Sequence, residues 1–241
     1  MELGLNMLIT PLLKHWKFAL LTSAMISLLI TLGFWQLSRA HQKKDLLETY
    51  LKRIQTTPLT VNALNQLNNP LFFRVELNGY FDNAHTILLD NKTYHSQVGY
   101  EVYTPFLAHG ITSPILVDRG FIPIGVSRES LPSIKNMGGE MTIIGLITKP
   151  PKYATFSTTE EALAWPMRVE SIDLARLATK LLSKPLSPYI LKIDPQDSRA
   201  YPITWTIDTL RPERHLGYAV QWFALAIALL VSFVFYCRNN A

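Results

Sequence analysis

Several side chains that can bind a cofactor lie near the ends of two long apolar stretches of the sequence. Gln36 and Arg39 close the first stretch, and His215 opens the second. A neutral imidazole can ligate haem iron axially, and the guanidinium of Arg39, Arg211 or Arg214 can pair with the carboxylates of haem propionates. One interpretation is therefore a haem site in which His215 is the ligand of the iron. The candidate cofactor-binding residues are Trp35, Gln36, Arg39, His215, Tyr218, Gln221 and Trp222.

The spacing of these residues predicts that they meet at one membrane surface. On a helix, His215, Trp222 and either Tyr218 or Ala219 share a face, because residues three, four and seven positions apart lie on one side. A chain that crosses the membrane, forms a domain and crosses back returns to the surface that it left. At a rise of about 1.5 Å per residue, Gln36 and the cluster of the second stretch then lie within about 10 Å of that surface.

A second interpretation needs no cofactor. Tryptophan and tyrosine are enriched at membrane–water interfaces in general. Gln36 and Gln221 can hydrogen-bond between helices, and His215 can be an interfacial residue without a ligand. Polar side chains inside a span usually face protein or a bound group, which keeps the haem interpretation open beside this one.

The two apolar stretches are long enough to cross a membrane. Residues 18–37 and 216–236 contain no Asp, Glu, Lys or Arg, and each reaches about 30 Å as a helix, which matches the hydrocarbon core. The first stretch has 20 residues, whereas the core of a signal peptide has about 7–15, so we expect an uncleaved anchor. The predicted organisation is a tail (1–17), a first span (18–37), a domain (38–215), a second span (216–236) and a second tail (237–241).

Charge and cysteine content exclude several classes of protein. The formal net charge is +5 without a block of basic residues, so we expect no nucleic-acid binding. Cys237 is the single cysteine, which excludes an internal disulfide, a Cys-pair zinc site and a C-x-x-C-H haem attachment. Charge does not decide which side of the membrane holds the domain, because long domains translocate largely regardless of charge.

Motifs typical of enzymes are missing from the sequence, which contains no G-x-S-x-G, H-E-x-x-H, Walker loop or G-x-G-x-x-G. We therefore expect that the protein is not an enzyme; an enzyme hypothesis would use Asp118 or His85 as acid–base groups. The apolar run that contains Asp118 predicts a strand-end ion pair followed by a turn at Gly120. His85, His95 and His109 lie in or beside predicted turns, where we expect surface histidines rather than metal ligands.

The central domain changes from helical to strand periodicity. The first span continues as an amphipathic helix whose apolar residues recur up to Ile54 and which Pro58 ends, and a short helix is predicted at 61–67. A further helix is predicted at 171–181, with Ser171 as its N-cap and Asp173 in its first turn. Strands are predicted at 73–78, 86–90, 97–104, 114–121, 141–148, 189–193 and 202–207. This pattern predicts an α+β fold, with a mostly antiparallel β-sheet or half-barrel between an N-terminal and a C-terminal transmembrane helix.

Five motifs follow one another from the first span to the second. They are G-F-W-Q-L-S-R at 33–39, F-R-V-E-L-N-G-Y-F at 73–81, V-G-Y-E-V-Y-T-P at 98–105, I-L-V-D-R-G-F-I-P at 115–123 and H-L-G-Y-A-V-Q-W-F at 215–223. In this order and combination, the sequence resembles the Surfeit locus protein 1 family of cytochrome c oxidase assembly factors. The resemblance covers essentially the whole chain.

The resemblance implies an integral membrane protein with two spans and its domain outside the cytoplasm. The 17 residues before the first span are too short, and too poor in Arg and Ser, for a transit peptide, so we expect a bacterial inner membrane and a periplasmic domain. The implied function is to assist delivery of haem a to subunit I of the haem-copper oxidase, with His215 as the implied haem ligand. Implied partners are cytochrome c oxidase subunit I, haem a synthase and membrane lipid. The alternative is a membrane-anchored scaffold that stabilises an oxidase assembly intermediate without binding haem.

Overall fold

The chain divides into two compact units. The computed structural model describes residues 16–125, 130–151, 165–181, 185–204 and 211–239. The helix unit comprises Met1–Glu48 and Ile207–Ala241, and the barrel unit comprises Thr49–Thr206.

The described residues form α-helices, β-strands and one short 3-10 helix (Asn83–His85). The helices are α1 (Trp16–Ile54), α2 (Val61–Asn65), α3 (Leu174–Leu181) and α4 (Pro212–Asn239). The strands are β1 (Arg74–Phe81), β2 (Ile87–Tyr94), β3 (Gln97–Ala108), β4 (Ile115–Pro123), β5 (Met141–Thr148), β6 (Met167–Val169) and β7 (Ile190–Ile193).

The helix unit consists of α4 and the first part of α1, which pack antiparallel. The Phe18 ring near the start of α1 lies 4.9 Å from the Tyr236 ring near the end of α4. Farther along α1, the Phe34 ring lies 5.4 Å from the Phe223 ring. The least exposed residues keep to one side of each helix, and most are small, which lets the two backbones approach closely. They are Ala19, Thr22, Leu29, Gly33 and Ala40 on α1, and Pro212, Ala219, Ala226 and Cys237 on α4.

Both α1 and α4 are long and apolar enough to cross a membrane, by length and composition. The predicted spans 18–37 and 216–236 lie inside these helices. The helix α1 has 39 residues and continues without a break to Ile54, as the periodicity after the first span predicts. Two candidate membrane helices therefore flank the central domain in the sequence.

Five strands of the barrel unit close into a ring. The sheet order is β1-β5-β7-β4-β3-β2-β6, and an additional pairing joins β1 to β3. The ring therefore consists of β1, β5, β7, β4 and β3, and β2 and β6 extend from it. The pairs β4–β7 and β2–β6 are parallel, and the other pairs are antiparallel. The predicted α+β class is confirmed, and the β1–β3 contact at Gly79–Phe81 closes the barrel.

Apolar side chains fill the ring and also cover one outer face of the sheet. In β1, Val75 and Leu77 are buried and Glu76 between them is exposed, which is the alternation of a strand with one face in a core. The cluster inside the ring draws on all five of its strands, through Val75, Leu77, Phe81, Phe106, Val117, Ile143, Ile147, Leu191 and Ile193. A second cluster lies beneath α3 and includes Leu177, Ile87, Leu89, Tyr103, Leu116 and Ile190.

The predicted cap of the helix at 171–181 is wrong by two residues. Helix α3 begins at Leu174, and Asp173 is its N-cap. The Asp173 Oδ1 atom accepts hydrogen bonds from the backbone N–H groups of Ala175 (3.0 Å) and Arg176 (3.1 Å). The positive end of the helix dipole also stabilises a carboxylate at this position. This explains why Asp173 rather than Ser171 is the N-cap.

The predicted strand at 202–207 is wrong where the structure describes it. Residues 202–204 form no strand, and residues 205–207 lie outside the described residues. The segment instead makes two backbone hydrogen bonds to β4 without forming a regular ladder. The Phe121 N–H donates to the Pro202 carbonyl, and the Tyr201 N–H donates to the Arg119 carbonyl. Strand β6 was not predicted, because three residues are too few to show a period of two.

Candidate functional site

A hydrogen bond between the two helices joins Gln36 of α1 to His215 of α4. The His215 Nδ1 atom lies 2.8 Å from the Gln36 Oε1 atom. Pro212, a residue favoured in the first turn of a helix, begins α4 and places His215 in that first turn. On α1, Gly33 lies one turn before Gln36, and its missing side chain leaves space for the Phe223 ring. The close approach at Gly33 therefore brings the two polar side chains together.

Two further residues lie on the same side of α4 as His215. Ala219 is 1% exposed, and Trp222 is half-buried. Of the two alternatives for the middle position of this face, the structure selects Ala219, because Tyr218 is 53% exposed. Trp222 follows His215 by seven residues, which places its indole about 10 Å farther along the packed face.

The other predicted cofactor-binding residues point outward from the helix pair. Trp35 is 53% exposed, and Gln221 and Arg39 are also exposed. The Arg39 guanidinium donates a hydrogen bond to the Gln42 side-chain oxygen at 2.9 Å. The structure thus brings Gln36, His215 and Trp222 to one face and leaves Trp35, Arg39, Tyr218 and Gln221 on the outer surface.

The arrangement around His215 fits an axial haem ligand. Only Nδ1 of the imidazole is engaged, by Gln36, and within the described residues the Nε2 atom takes part in no hydrogen bond. The His215 side chain is half-buried, and with Nδ1 engaged, Nε2 is the nitrogen that could bind a ligand. A metal-ligating histidine usually hydrogen-bonds through its other nitrogen, which is the pattern seen here.

The barrel unit contains a second, buried cluster of charged side chains that the sequence analysis did not find. Glu101 of β3 accepts hydrogen bonds from the hydroxyls of Thr204 (2.8 Å) and Tyr103 (3.1 Å). The Lys92 ammonium lies 3.6 Å from Glu101. Asp118 of β4 is fully buried. The sequence signal was a charged residue inside an apolar strand, Asp118, and it does not reveal that residues of the three strands β2, β3 and β4 converge.

The prediction that a strand ends at Asp118 and turns at Gly120 is wrong. These residues lie within β4, which continues to Pro123. Arg119 and Gly120 oppose the single residue Val102, so they form a β-bulge, and Gly120 has a φ of +102°. The carboxylate and the guanidinium project to opposite faces, because the Arg119 guanidinium packs over the Phe81 ring of the barrel interior.

Arg119 is fully buried at the end of the barrel interior. Its guanidinium carbon lies 5.1 Å from the centre of the Tyr201 ring. One of its nitrogens donates to the Lys135 carbonyl at 2.9 Å. Burial lowers the pKa of Arg119. Arg119 therefore has a structural role: it connects β4 to Lys135, which lies between β4 and β5, and to Tyr201, which lies after β7.

The buried carboxyl of Asp118 makes the stability of the barrel depend on pH. The pKa of Asp118 is raised from 3.8 to about 7, chiefly by burial and also by the neighbouring Glu101, against the opposing effects of Lys192, the Gly120 N–H and Lys92. The folded state then holds this proton to a higher pH than the unfolded state. The contribution of Asp118 to the free energy of unfolding therefore falls as the pH rises from about 4 to about 7, and is level above that range.

The substitution Asp118→Asn is expected to remove this fall, because an amide of the same size cannot ionise. Urea unfolding of the full chain in detergent, measured between about pH 4 and pH 7, checks the expectation. Glu76→Gln is the matched control, since Glu76 is an exposed carboxylate on another strand of the same barrel, β1. An unchanged pH dependence in Asp118→Asn would show that another group carries it.

The three histidines of the barrel unit have local partners. His85 Nδ1 lies 2.6 Å from the Asp82 carboxylate, and His109 Nε2 lies 2.9 Å from that of Glu140. The His95 ring contacts the Tyr94 ring at 4.2 Å. In the part of the chain that the structure describes, no group of three or more His, Cys, Asp or Glu residues is placed to hold a metal ion.

Comparison with known proteins assigns the family. The sequence pattern of the SURF1 family matches residues 23–227. The SURF1-like protein of Rickettsia prowazekii is 28% identical over 239 residues, which cover 93% of this chain and 90% of that protein. Surfeit locus protein 1 of Arabidopsis thaliana is 25% identical over 264 residues (87% and 74%), and that of Rattus norvegicus 26% over 218 residues (82% and 68%). Because the family pattern spans most of the chain, including Gln36 and His215, the chain belongs to the SURF1 family.

Proposed function

We propose that this protein is an assembly factor for haem-copper cytochrome c oxidase that assists delivery or insertion of haem a into subunit I. Membership of the SURF1 family implies the general role in oxidase assembly. The observation that supports the specific role is the half-buried His215, which has Nδ1 bonded to Gln36 and Nε2 available to a ligand.

Each residue of the proposed site has a separate task. His215 supplies the axial nitrogen, and Gln36 orients its ring. Trp222 packs beside the macrocycle on the same face, while the exposed rings of Trp35 and Tyr218 extend the apolar surface next to it. The remaining polar candidates, Arg39 and Gln221, lie outside and suit the propionates, which a guanidinium binds as a planar fork. Haem a would supply an iron ion that accepts an axial nitrogen ligand from the protein.

The same proposal includes a place in the cell and two partners. Two apolar helices support membrane association. We place the protein in the inner membrane, with the barrel unit in the periplasm, where the expected partners are oxidase subunit I and haem a synthase. A histidine at the membrane surface that faces a neighbouring helix suits a cargo that moves between membrane proteins.

The proposed haem site is tested by replacing its ligand. The full chain is purified from cells that make haem a, and its absorption spectrum is compared with that of His215→Ala. The wild-type protein is expected to retain haem a and His215→Ala to lose it, because no other nitrogen then occupies this position. His109→Ala is the matched control, since it removes an exposed histidine paired with Glu140. Equal haem retention in wild type and His215→Ala, or none in either, would overturn the assignment.

One observation favours the alternative of a scaffold without a cofactor. Gln36 and His215 satisfy each other across a close helix contact, as two residues with a purely structural role would. A scaffold is expected to co-purify with subunit I from cells that cannot make haem a. A haem carrier is expected to lose that association when haem a synthesis is removed.

A further inference from the structure

We infer that Gln36 is a positioning residue that holds His215 in the tautomer with the proton on Nδ1 and leaves the Nε2 lone pair for iron. The inference rests on the proposed haem-binding function and assigns a distinct part in it to a residue on the other helix. It explains why a glutamine, rather than an apolar residue, lies opposite the histidine.

The geometry of the hydrogen bond decides which nitrogen carries the proton. The Gln36 Oε1 atom, 2.8 Å from His215 Nδ1, is a carbonyl oxygen and can only accept. Nδ1 must therefore donate. A neutral imidazole has one N–H group, so its other nitrogen, Nε2, keeps a free lone pair. A lone pair on nitrogen is what haem iron requires of its axial ligand.

The contact is held by the packing of the two helices. Gly33, one turn before Gln36, lets α1 approach the Phe223 ring of α4, and Ala219, one turn after His215, is almost completely buried. Within the described residues, Gln36 is the one hydrogen-bond partner of the His215 side chain. Removing the amide would thus leave the imidazole free to rotate and to change its tautomer.

A neutral amide also suits a ligand that must release its cargo. A carboxylate hydrogen-bonded to a ligating histidine raises the basicity of the ligand and strengthens the bond to the metal. An amide orients the ring without adding a negative charge in a region of low dielectric. We therefore expect Gln36→Glu to keep the tautomer and to bind haem a more tightly than the wild type, with slower release.

The first test reads the tautomer without haem. The full chain in detergent is labelled with ¹⁵N-histidine, and the His215 signals are identified by their loss in His215→Ala. Wild type and Gln36→Glu are expected to show a protonated Nδ1 and an unprotonated Nε2. Gln36→Leu is expected to show a mixture of tautomers. Gln55→Leu is the matched control, because Gln55 is an exposed glutamine just after the end of α1 and is not part of the proposed site.

The second test is a titration of the same proteins with haem a, followed by the absorption spectrum. Gln36→Leu is expected to lose about 10- to 100-fold in affinity, the usual effect of removing such a second hydrogen bond, while Gln55→Leu keeps the wild-type affinity. Circular dichroism shows whether each variant retains its helices. Gln36→Glu keeps an oxygen that accepts the Nδ1–H hydrogen bond, so its haem affinity shows the effect of replacing the neutral amide with a carboxylate.

The outcomes separate this inference from the function on which it rests. A proton on Nε2 of His215 in the wild type, or unchanged tautomer and affinity in Gln36→Leu, overturns the positioning role. If the wild-type protein binds no haem a, the proposed function fails and the role toward iron fails with it. The NMR measurement still shows in that case whether Gln36 sets the tautomer.

Discussion

Replacing Gly79 with alanine is expected to lower the free energy of unfolding by about 3 kcal/mol or more, because a side chain here collides with the backbone that closes the barrel. Gly79 pairs with Ala108 where β1 meets β3. A Cβ atom on Gly79 would contact the Leu107 carbonyl oxygen and lie 2.9 Å from the Ala108 Cα atom. Backbone atoms cannot turn away as a flexible side chain can, so the ring must open or shift.

Denaturant unfolding of the full chain, followed by circular dichroism, measures this effect. Gly138→Ala is the matched control, because a Cβ atom there has no atom within 4 Å, and its change is expected to stay within about 0.5 kcal/mol. A Gly79→Ala protein as stable as the wild type would show that β1 and β3 tolerate a wider separation than the pairing at Gly79 indicates.

Replacing Gly33 with leucine is expected to separate the helix pair at the end that holds Gln36 and His215. A Cβ atom on Gly33 would lie 2.6 Å from Phe223 Cε1 and 2.7 Å from Phe223 Cζ. The expected cost is about 1–3 kcal/mol, the usual range for adding atoms to a packed interface. Thermal unfolding of the full chain in mild detergent measures it, and the tautomer signal of His215 reports the loss of its contact with Gln36.

Two further variants distinguish a local collision from a general effect of leucine. Gly217→Leu places the same residue on α4 where a Cβ atom meets nothing within 4 Å, and it is expected to be nearly neutral. Phe223→Ala removes the ring that Gly33→Leu would strike, so the double variant is expected to lose less stability than the two single variants together. A simple sum of the two losses would contradict contact between these positions.

The spacing of apolar residues predicted most of the helices and strands, because it shows directly which residues of a segment are buried. In β1, the buried Val75 and Leu77 alternate with exposed residues, as a half-buried strand requires. The amphipathic pattern likewise predicted that α1 continues to Ile54. The errors concern elements with too little local pattern, namely β6 of three residues and the segment at 202–204, which bonds to a bulge instead of forming a strand.

The candidate site was predictable as a set of residue types but not as an arrangement. The spacing of His215 and Trp222 indicated one helix face, yet it left Tyr218 and Ala219 as alternatives for the position between them. That choice depends on how α4 is rotated toward α1, which only packing decides, and Ala219 takes the buried position. Similarly, no local pattern shows that Glu101 and Asp118, on different strands, share a buried cluster with lysines.

The amino-acid sequence by itself determined the length and apolar character of the two candidate membrane helices, the strand content of the domain between them and the family. These properties follow from composition and from periods of two and 3.6 residues, which act over a few neighbours. Tertiary structure alone decided the closure of the barrel between β1 and β3, the bulge at Gly120 and the bond between Gln36 and His215. That bond joins residues 179 positions apart. It forms because Gly33, one turn before Gln36, leaves space for the Phe223 ring of the other helix.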